Sequence, residues 1–243
     1  MKNLFLIFVP VFLIIFSLSS CIFGEGGIEK AGKIIQINRT LDHFTGISVN
    51  SGIEVEIKMG TTEGVLVEAG ERIIPQVITE VRGGILHIER KHRGFAFQNN
   101  QNNIKVYVNA RELSSIEGSS GSSIHSLNLI SSQNIEIQAN SGSSIRINVK
   151  ALNIQAEASS GSDLDLSGNS DKIHLEASSG SSLRAGDLNT QFAEVKSSSG
   201  SDIHVLVTKI LNGEASSGGS IHYRGNPSQV SKEASSGGSI ETE

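Results

Sequence analysis

Ser119-Ser120-Gly121-Ser122-Ser123-Ile124 decides the fold, because it returns six more times along the chain. The copies are Ser141-Gly142-Ser143-Ser144-Ile145, Ser159-Ser160-Gly161-Ser162-Asp163-Leu164, Ser178-Ser179-Gly180-Ser181-Ser182-Leu183, Ser198-Ser199-Gly200-Ser201-Asp202-Ile203, Ser216-Ser217-Gly218-Gly219-Ser220-Ile221 and Ser235-Ser236-Gly237-Gly238-Ser239-Ile240. From one glycine to the next the steps are 21, 19, 19, 20, 18 and 19 residues. A fixed period with small drift is the mark of a stacked solenoid.

Aligning the copies on their glycines shows what stacks. Three residues after the glycine stand Ile124, Ile145, Leu164, Leu183, Ile203, Ile221 and Ile240. Five before it stand Ile116, Ile137, Ala156, Leu175, Val195, Gly213 and Lys232. Three before it stand Gly118, Ala139, Ala158, Ala177, Ser197, Ala215 and Ala234. Odd offsets are small or apolar and even offsets mostly polar, which is strand alternation on both sides of a Ser-Gly corner. Each coil of about 19 residues then rises one strand spacing, ~4.8 Å, and adds one layer to the core. Glycine suits such a corner because it takes positive φ at little cost. Serines at odd offsets point inward, where their hydroxyls form ladders or bond corner amides. The plainer alternative, a disordered Ser/Gly linker, does not account for the regular Ile/Leu/Val columns.

Upstream, the chain is also strand-like. Ile53, Val55 and Ile57 alternate with Glu54, Glu56 and Lys58, the period of a half-buried strand. Pro75 argues against a central strand over 73–81 and admits a short helix or bend. Residues 92–103, rich in Asn and Gln, read as a surface loop. No stretch carries a sustained helical stripe. The expected class is all-β: a single-stranded right-handed β-helix (solenoid) with about 19-residue Ser-Gly rungs and a less regular N-terminal β part. The expected organisation is 34–112 for that N-terminal part and 113–243 for the repeats, one continuous domain.

The first residues give an address. Lys2 and the apolar run Leu4 to Phe16 have the form of a signal peptide and are too short to span a bilayer well. Leu18-Ser19-Ser20-Cys21 resembles a bacterial lipobox, which implies removal of residues 1–20 and lipidation of Cys21, with 21–33 as a Gly-rich tether. The expectation is an outer-membrane lipoprotein, periplasmic or surface-exposed, partnered with the membrane through its anchor. A plain secretory signal is the alternative. Cys21 is the only cysteine, so no intrachain disulfide forms. A formal charge of −5 without Lys/Arg clusters argues against nucleic acid. There is no Trp, only two Tyr, and four of the nine Phe fall in the leader. Carbohydrate binding through aromatic platforms is therefore disfavoured.

Over 37–243 the chain resembles the bacterial family described as "putative auto-transporter adhesin, head GIN domain", of unknown function and common in lipoproteins of the Bacteroidetes type. The resemblance rests on Arg39-Thr40-Leu41-Asp42-His43-Phe44-Thr45-Gly46-Ile47-Ser48-Val49, on Ile53-Glu54-Val55-Glu56-Ile57-Lys58, on Val81-Arg82-Gly83-Gly84-Ile85-Leu86-His87-Ile88 and on the join Leu113-Ser114-Ser115-Ile116-Glu117-Gly118 into the repeats. It implies a β-helix-like fold at the envelope and brings no catalytic residues.

Candidate sites come from the outward columns. One position beyond the Ile/Leu column stand His125, Arg146, Asp165, Arg184, His204, His222 and Glu241. Stacked, they form either an ion-pair ladder or a strip that binds an anionic or sugar ligand; solvated pairs alone are worth ~0–1 kcal/mol each. Four before the glycine stand Glu117, Gln138, Glu157, Glu176, Lys196, Glu214 and Glu233, where neighbouring glutamates splay apart or hold calcium. Asp163, Asp165 and Asp202 are the nearest candidates for a catalytic carboxylate pair, although Asp also substitutes for Ser at a corner. His204 over His222 lacks a third metal ligand. The reading is a lipid-anchored envelope protein with a non-enzymatic adhesin-like or structural role, with no cofactor, no metal and no catalytic residue. A glycan or an envelope protein is its expected partner. A polysaccharide-active lyase or hydrolase on the same fold is the alternative.

Overall fold

The computed structural model describes residues 32–91 and 104–243. Cys21, the residues assigned to a signal peptide, most of those assigned to a tether and the loop assigned to 92–103 lie outside the described residues. The described chain is all-β, a solenoid of about seven turns joined to a mixed N-terminal sheet.

The repeats form the long strands. These are β10 (Ile130–Ala139), β11 (Ser144–Ala158), β12 (Asp163–Ala177), β13 (Ser182–Ser197) and β14 (Asp202–Ala215), paired in parallel. Rung β11 shows why the period is odd. Its inward residues are Ser143, Ile145, Ile147, Val149, Ala151, Ile154, Ala156 and Ala158, all buried. Alternation breaks twice in this rung: once where Leu152 and Asn153 both face out, and once at the Ser-Gly corner. The two breaks fold one long strand into a front wall after the corner and a rear wall before it. Ile124, Ile145, Leu164, Leu183, Ile203 and Ile221 stack without exposure along the front wall. Each such side chain contributes roughly 1.5–3 kcal/mol of burial.

The corner is a type I′ turn. Ser120 and Gly121 both have positive φ, 52° and 72°, and the Ser122 amide donates to the Ser119 carbonyl at 3.1 Å. Left-handed backbone is therefore required of the serine as well as of the glycine. The corner glycine amide then donates to the left-handed serine of the next rung: Gly121 to Ser141, Gly142 to Ser160 and Gly161 to Ser179, each at 3.1 Å.

The inward serine after each corner has its own task. Ser143, Ser162, Ser181 and Ser201 are buried, and their hydroxyls donate to the carbonyls of Gly118, Ala139, Ala158 and Ala177 on the rung before, at 2.7–2.9 Å. In the last two rungs this position is glycine. A Cβ at Gly219 would lie 2.5 Å from the Ser197 carbonyl oxygen, and one at Gly238 2.5 Å from the Ala215 backbone, so only glycine fits there.

The N-terminal region completes the stack out of sequence order. Its strands are β1 (Ile34–Arg39), β2 (Gly46–Val49), β3 (Glu54–Met59), β4 (Gly64–Gly70), β5 (Val77–Arg82), β6 (Ile85–Arg90) and β7 (Lys105–Ala110). Strands β8 (Ser115–Gly118) and β9 (Ser123–Ser126) then carry the first repeat. Strands β2 and β3 flank Ser51-Gly52, an eighth left-handed corner, and form a rung directly under β8 and β9. Below them lie β6 and β7, later in the chain but parallel to β2 and β3. Antiparallel β4 and β1 close the front wall and β5 closes the rear wall. Pro75 sits in a single 3-10 turn, Ile74–Gln76, just ahead of β5. At the other end β15 (Ser220–Arg224), β16 (Gln229–Ala234) and β17 (Ser239–Thr242) make the final rungs. There the odd-offset columns come to the surface: Val230 is 38% exposed, and Lys232 lays its ammonium over the Tyr223 ring to reach the Ile240 carbonyl.

Candidate functional site

The outward column of the front wall is continuous. In register, Glu56 lies under His125, followed by Arg146, Asp165, Arg184, His204, His222 and Glu241. All seven residues named from the sequence as an outward column, from His125 to Glu241, are therefore neighbours on one face. Their environments differ. His125 bonds Ser123 Oγ at 2.9 Å. His204 and His222 stack with ring centroids 4.9 Å apart, and Asp202 sits 2.8 Å from His204 and 3.4 Å from His222.

Asp165 is the centre of the ladder. Arg146 reaches its Oδ2 at 3.2 Å and Arg184 its Oδ1 at 2.5 Å. Arg184 also donates to Ser182 Oγ at 2.7 Å and Asp163 Oδ1 at 3.1 Å. The hydrogen bond to Asp165 holds the Arg184 guanidinium above its ordinary pKa against the opposing effect of burial, with Asp163 adding to the rise. Asp163, Asp165 and Asp202, the candidate catalytic carboxylates, are thus each tied to a cation or an imidazole.

The strip widens into a groove of about 500 Å³ where the stacking register fails. Strand β13 carries Gly186, Asp187 and Leu188 between residues that pair with adjacent Val205 and Leu206 of β14. This three-residue bulge re-aims the strand, as bulges do. Arg224 crosses to it, donating from Nη2 to the Gly186 carbonyl at 2.7 Å. Glu243 joins the far side, 2.5 Å from His204 Nδ1 and 3.6 Å from Arg224 Nε. Arg146, Asp165, Arg184 and His204 line the same groove. Sequence reasoning missed Arg224, Gly186, Asp187 and Glu243. The signal for them was in the period, where a 20-residue step is followed by one of 18.

The acidic column of the rear wall resolves into local pairs. Glu157 lies in register with Glu176, and Glu214 with Glu233. Glu176 turns to His174 at 2.9 Å, and Lys196 stands 3.9 Å from both Glu194 and Glu214. Among the described residues no group of three or more His, Cys, Asp or Glu side chains is placed to hold a metal ion, so the calcium alternative gains no geometry.

Comparison with known proteins agrees with this architecture. The family described as "Putative auto-transporter adhesin, head GIN domain" matches residues 43–227. The chain belongs to this family. Its fold is shared with a "putative adhesin" from Bacteroides fragilis NCTC 9343 (TM-score 0.80, 18% identity, covering 87% of this chain and 97% of that one). A second "putative adhesin", from Parabacteroides distasonis ATCC 8503, gives a TM-score of 0.72 at 16% identity, covering 87% of this chain and 98% of its own. A "putative lipid binding protein" from the same organism gives 0.67 at 21% identity, covering 87% and 97%. At these identities the likeness is one of fold. No curated protein matches the sequence.

Proposed function

We infer that this member of the head GIN domain family is a lipid-anchored, non-enzymatic binding protein of the cell envelope. It is tethered through Cys21 and presents the front wall of its solenoid to a ligand. The observation that carries the reading is the state of the carboxylates on that wall. A general acid or base needs a carboxyl group free to exchange its proton with substrate, and Asp163 and Asp165 are both committed to Arg184. A flat parallel wall with in-register polar columns instead offers an extended surface for recognition. The lipid-binding name of one structural neighbour is not carried over, because the solenoid interior here is filled with stacked side chains.

A screen of the full-length protein against immobilised polysaccharides and envelope proteins, with release of soluble sugar followed in parallel, tests this function. Binding without turnover is the expected result. Sugar release that disappears in Asp163→Asn or Asp165→Asn would replace the reading with the enzymatic one.

A further inference from the structure

We propose that the front-wall groove at the β13 bulge binds an acidic polysaccharide laid along the stack, its anionic groups seated on Arg146 and Arg224. The inference rests on the non-enzymatic binding reading and names its ligand class. It follows from counting which polar groups in the groove are already used.

The acceptors are largely spent. Both oxygens of Asp165 receive guanidinium hydrogen bonds. Glu243 gives Oε1 to His204 and keeps Oε2 at a long 3.6 Å from Arg224. The Gly186 carbonyl takes Arg224. The donors are not spent. Arg146 is 68% exposed and directs Nε and Nη2 to a single oxygen of Asp165. Arg224 is 47% exposed and uses Nη2 on Gly186, with only long approaches to Asp187 and Glu243. A guanidinium carries five N–H donors in a planar fork, so each of these two arginines keeps an open edge. Arg184, by contrast, donates through all three nitrogens and serves to fix Asp165. A groove whose spare capacity is donors suits a ligand that brings acceptors, and planar carboxylates fit the guanidinium fork best. The most exposed carboxylate of the groove, Asp187, is 89% exposed at the tip of the bulge.

Spacing favours a polymer. Arg146 reaches Asp165 on β12 and Arg224 crosses to Gly186 on β13, so the two guanidinium groups lie on neighbouring rungs, ~4.8 Å apart along the stack. One rung is close to the length of one pyranose ring, so an extended chain running with the stack places successive anionic groups over successive rungs. The stacked His204 and His222 rings border the same path.

The test is calorimetric titration of the full-length protein with a polyuronate oligosaccharide, a sulfated oligosaccharide of equal length and the carboxyl-reduced, neutral form of the polyuronate. The acidic ligands should bind and the neutral one should not, with affinity falling as salt rises. Arg146→Gln and Arg224→Gln should each weaken binding about tenfold, the loss of one exposed charge-assisted contact, and together about a hundredfold. Asp187→Asn should tighten it. Arg82→Gln, at a guanidinium paired with Glu80 and Glu89 at the opposite end of the stack, should leave it unchanged. Preference between uronate and sulfate identifies the anion. Equal binding of the neutral form, no binding of either acidic ligand, or arginine variants without effect would each overturn the proposal. Cleavage of the oligosaccharide would instead sink the non-enzymatic reading, while arginine-dependent binding would still hold the site in place.

Discussion

Replacing Ser181 by alanine separates two accounts of the serine column. Ser181 is 2% exposed. Its hydroxyl donates to the Ala158 carbonyl at 2.8 Å and accepts from the Ser178 amide at 3.2 Å. Neither partner is orphaned when the hydroxyl goes, because the Ser178 amide also donates to the Ala158 carbonyl at 3.0 Å. The variant therefore loses the two hydrogen bonds of the hydroxyl, the accepted one long and shared, without the larger penalty for an unsatisfied buried group. The cost should be about 1 kcal/mol, or a fall in Tm of roughly 2–4 °C for a domain of this size.

Equilibrium urea unfolding followed by far-UV circular dichroism reads this as a shifted midpoint at unchanged slope. Ser162→Ala, one rung away, is expected to behave alike, since its hydroxyl donates to its own carbonyl, that of Ala139, at 2.7 Å. If the column acts through separate carbonyls, the double variant should lose the sum to within about 0.5 kcal/mol. Coupling well beyond that would mean that the hydroxyls form a chain among themselves, which is what the sequence alone also allowed. A single-site loss above ~3 kcal/mol, or none, would refute the reasoning outright.

Two glycines at the corners of different repeats should respond differently to alanine. At Gly161 a Cβ meets nothing within 4 Å and φ is +69°, so the cost is that of a left-handed backbone, about 1–2 kcal/mol; at Gly219 the Cβ would press on the Ser197 carbonyl, and the loss should reach or exceed the overpacking range of about 1–3 kcal/mol. The reverse order in urea midpoints would contradict the corner geometry. Glu63 is raised by burial, but hydrogen bonds from His43 and Arg111 outweigh this and hold its carboxyl below its ordinary 4.5. A lowered folded-state pKa contributes stability above the unfolded value and loses it as pH falls through the folded one. The midpoint gap between wild type and Glu63→Gln should therefore narrow on acidification below 4.5, and a gap independent of pH would show that the cluster contributes nothing. Cys21→Ala should move the protein from the membrane fraction to the soluble one on fractionation, and unchanged partitioning would remove the lipid anchor.

The repeats were legible because every inward position obeys one geometric demand. Ile124, Ile145, Leu164, Leu183, Ile203 and Ile221 occupy the same place on successive rungs, so the column in the sequence is the column in the core. The register of the outward residues follows from it without further information. The Ser51-Gly52 corner was harder to see. It stands 69 residues before its stacking partner Ser120-Gly121, separated by the strands that close the end, and Ile53 replaces the inward serine of the later copies. Nor does local patterning show that β6 and β7 lie beneath β2 and β3. That order is fixed by long-range pairing, which alternation alone does not encode.

The candidate site arises where the repeat is broken. Arg146, Asp165, Arg184 and His204 themselves stay in register as a level ladder, and a perfect stack beyond them would leave a flat face with little relief to offer a ligand. The additional residues in β13 lift Gly186 and Asp187 out of that ladder and bring Arg224 across to the Gly186 carbonyl. The front wall gains a groove at the same place where two guanidinium forks keep unspent donors. Inward positions are held by packing, and a change there costs stability whatever it does for binding. Outward positions on a regular rung are free to vary but present only a flat face. A local loss of register supplies relief to that face while the columns behind it, Leu183 under Ile203 and Ala185 under Val205, stay in step. Among the described residues, the region around the β13 bulge is therefore where recognition can be changed with least disturbance to the stack, and where variants should separate binding from folding most cleanly.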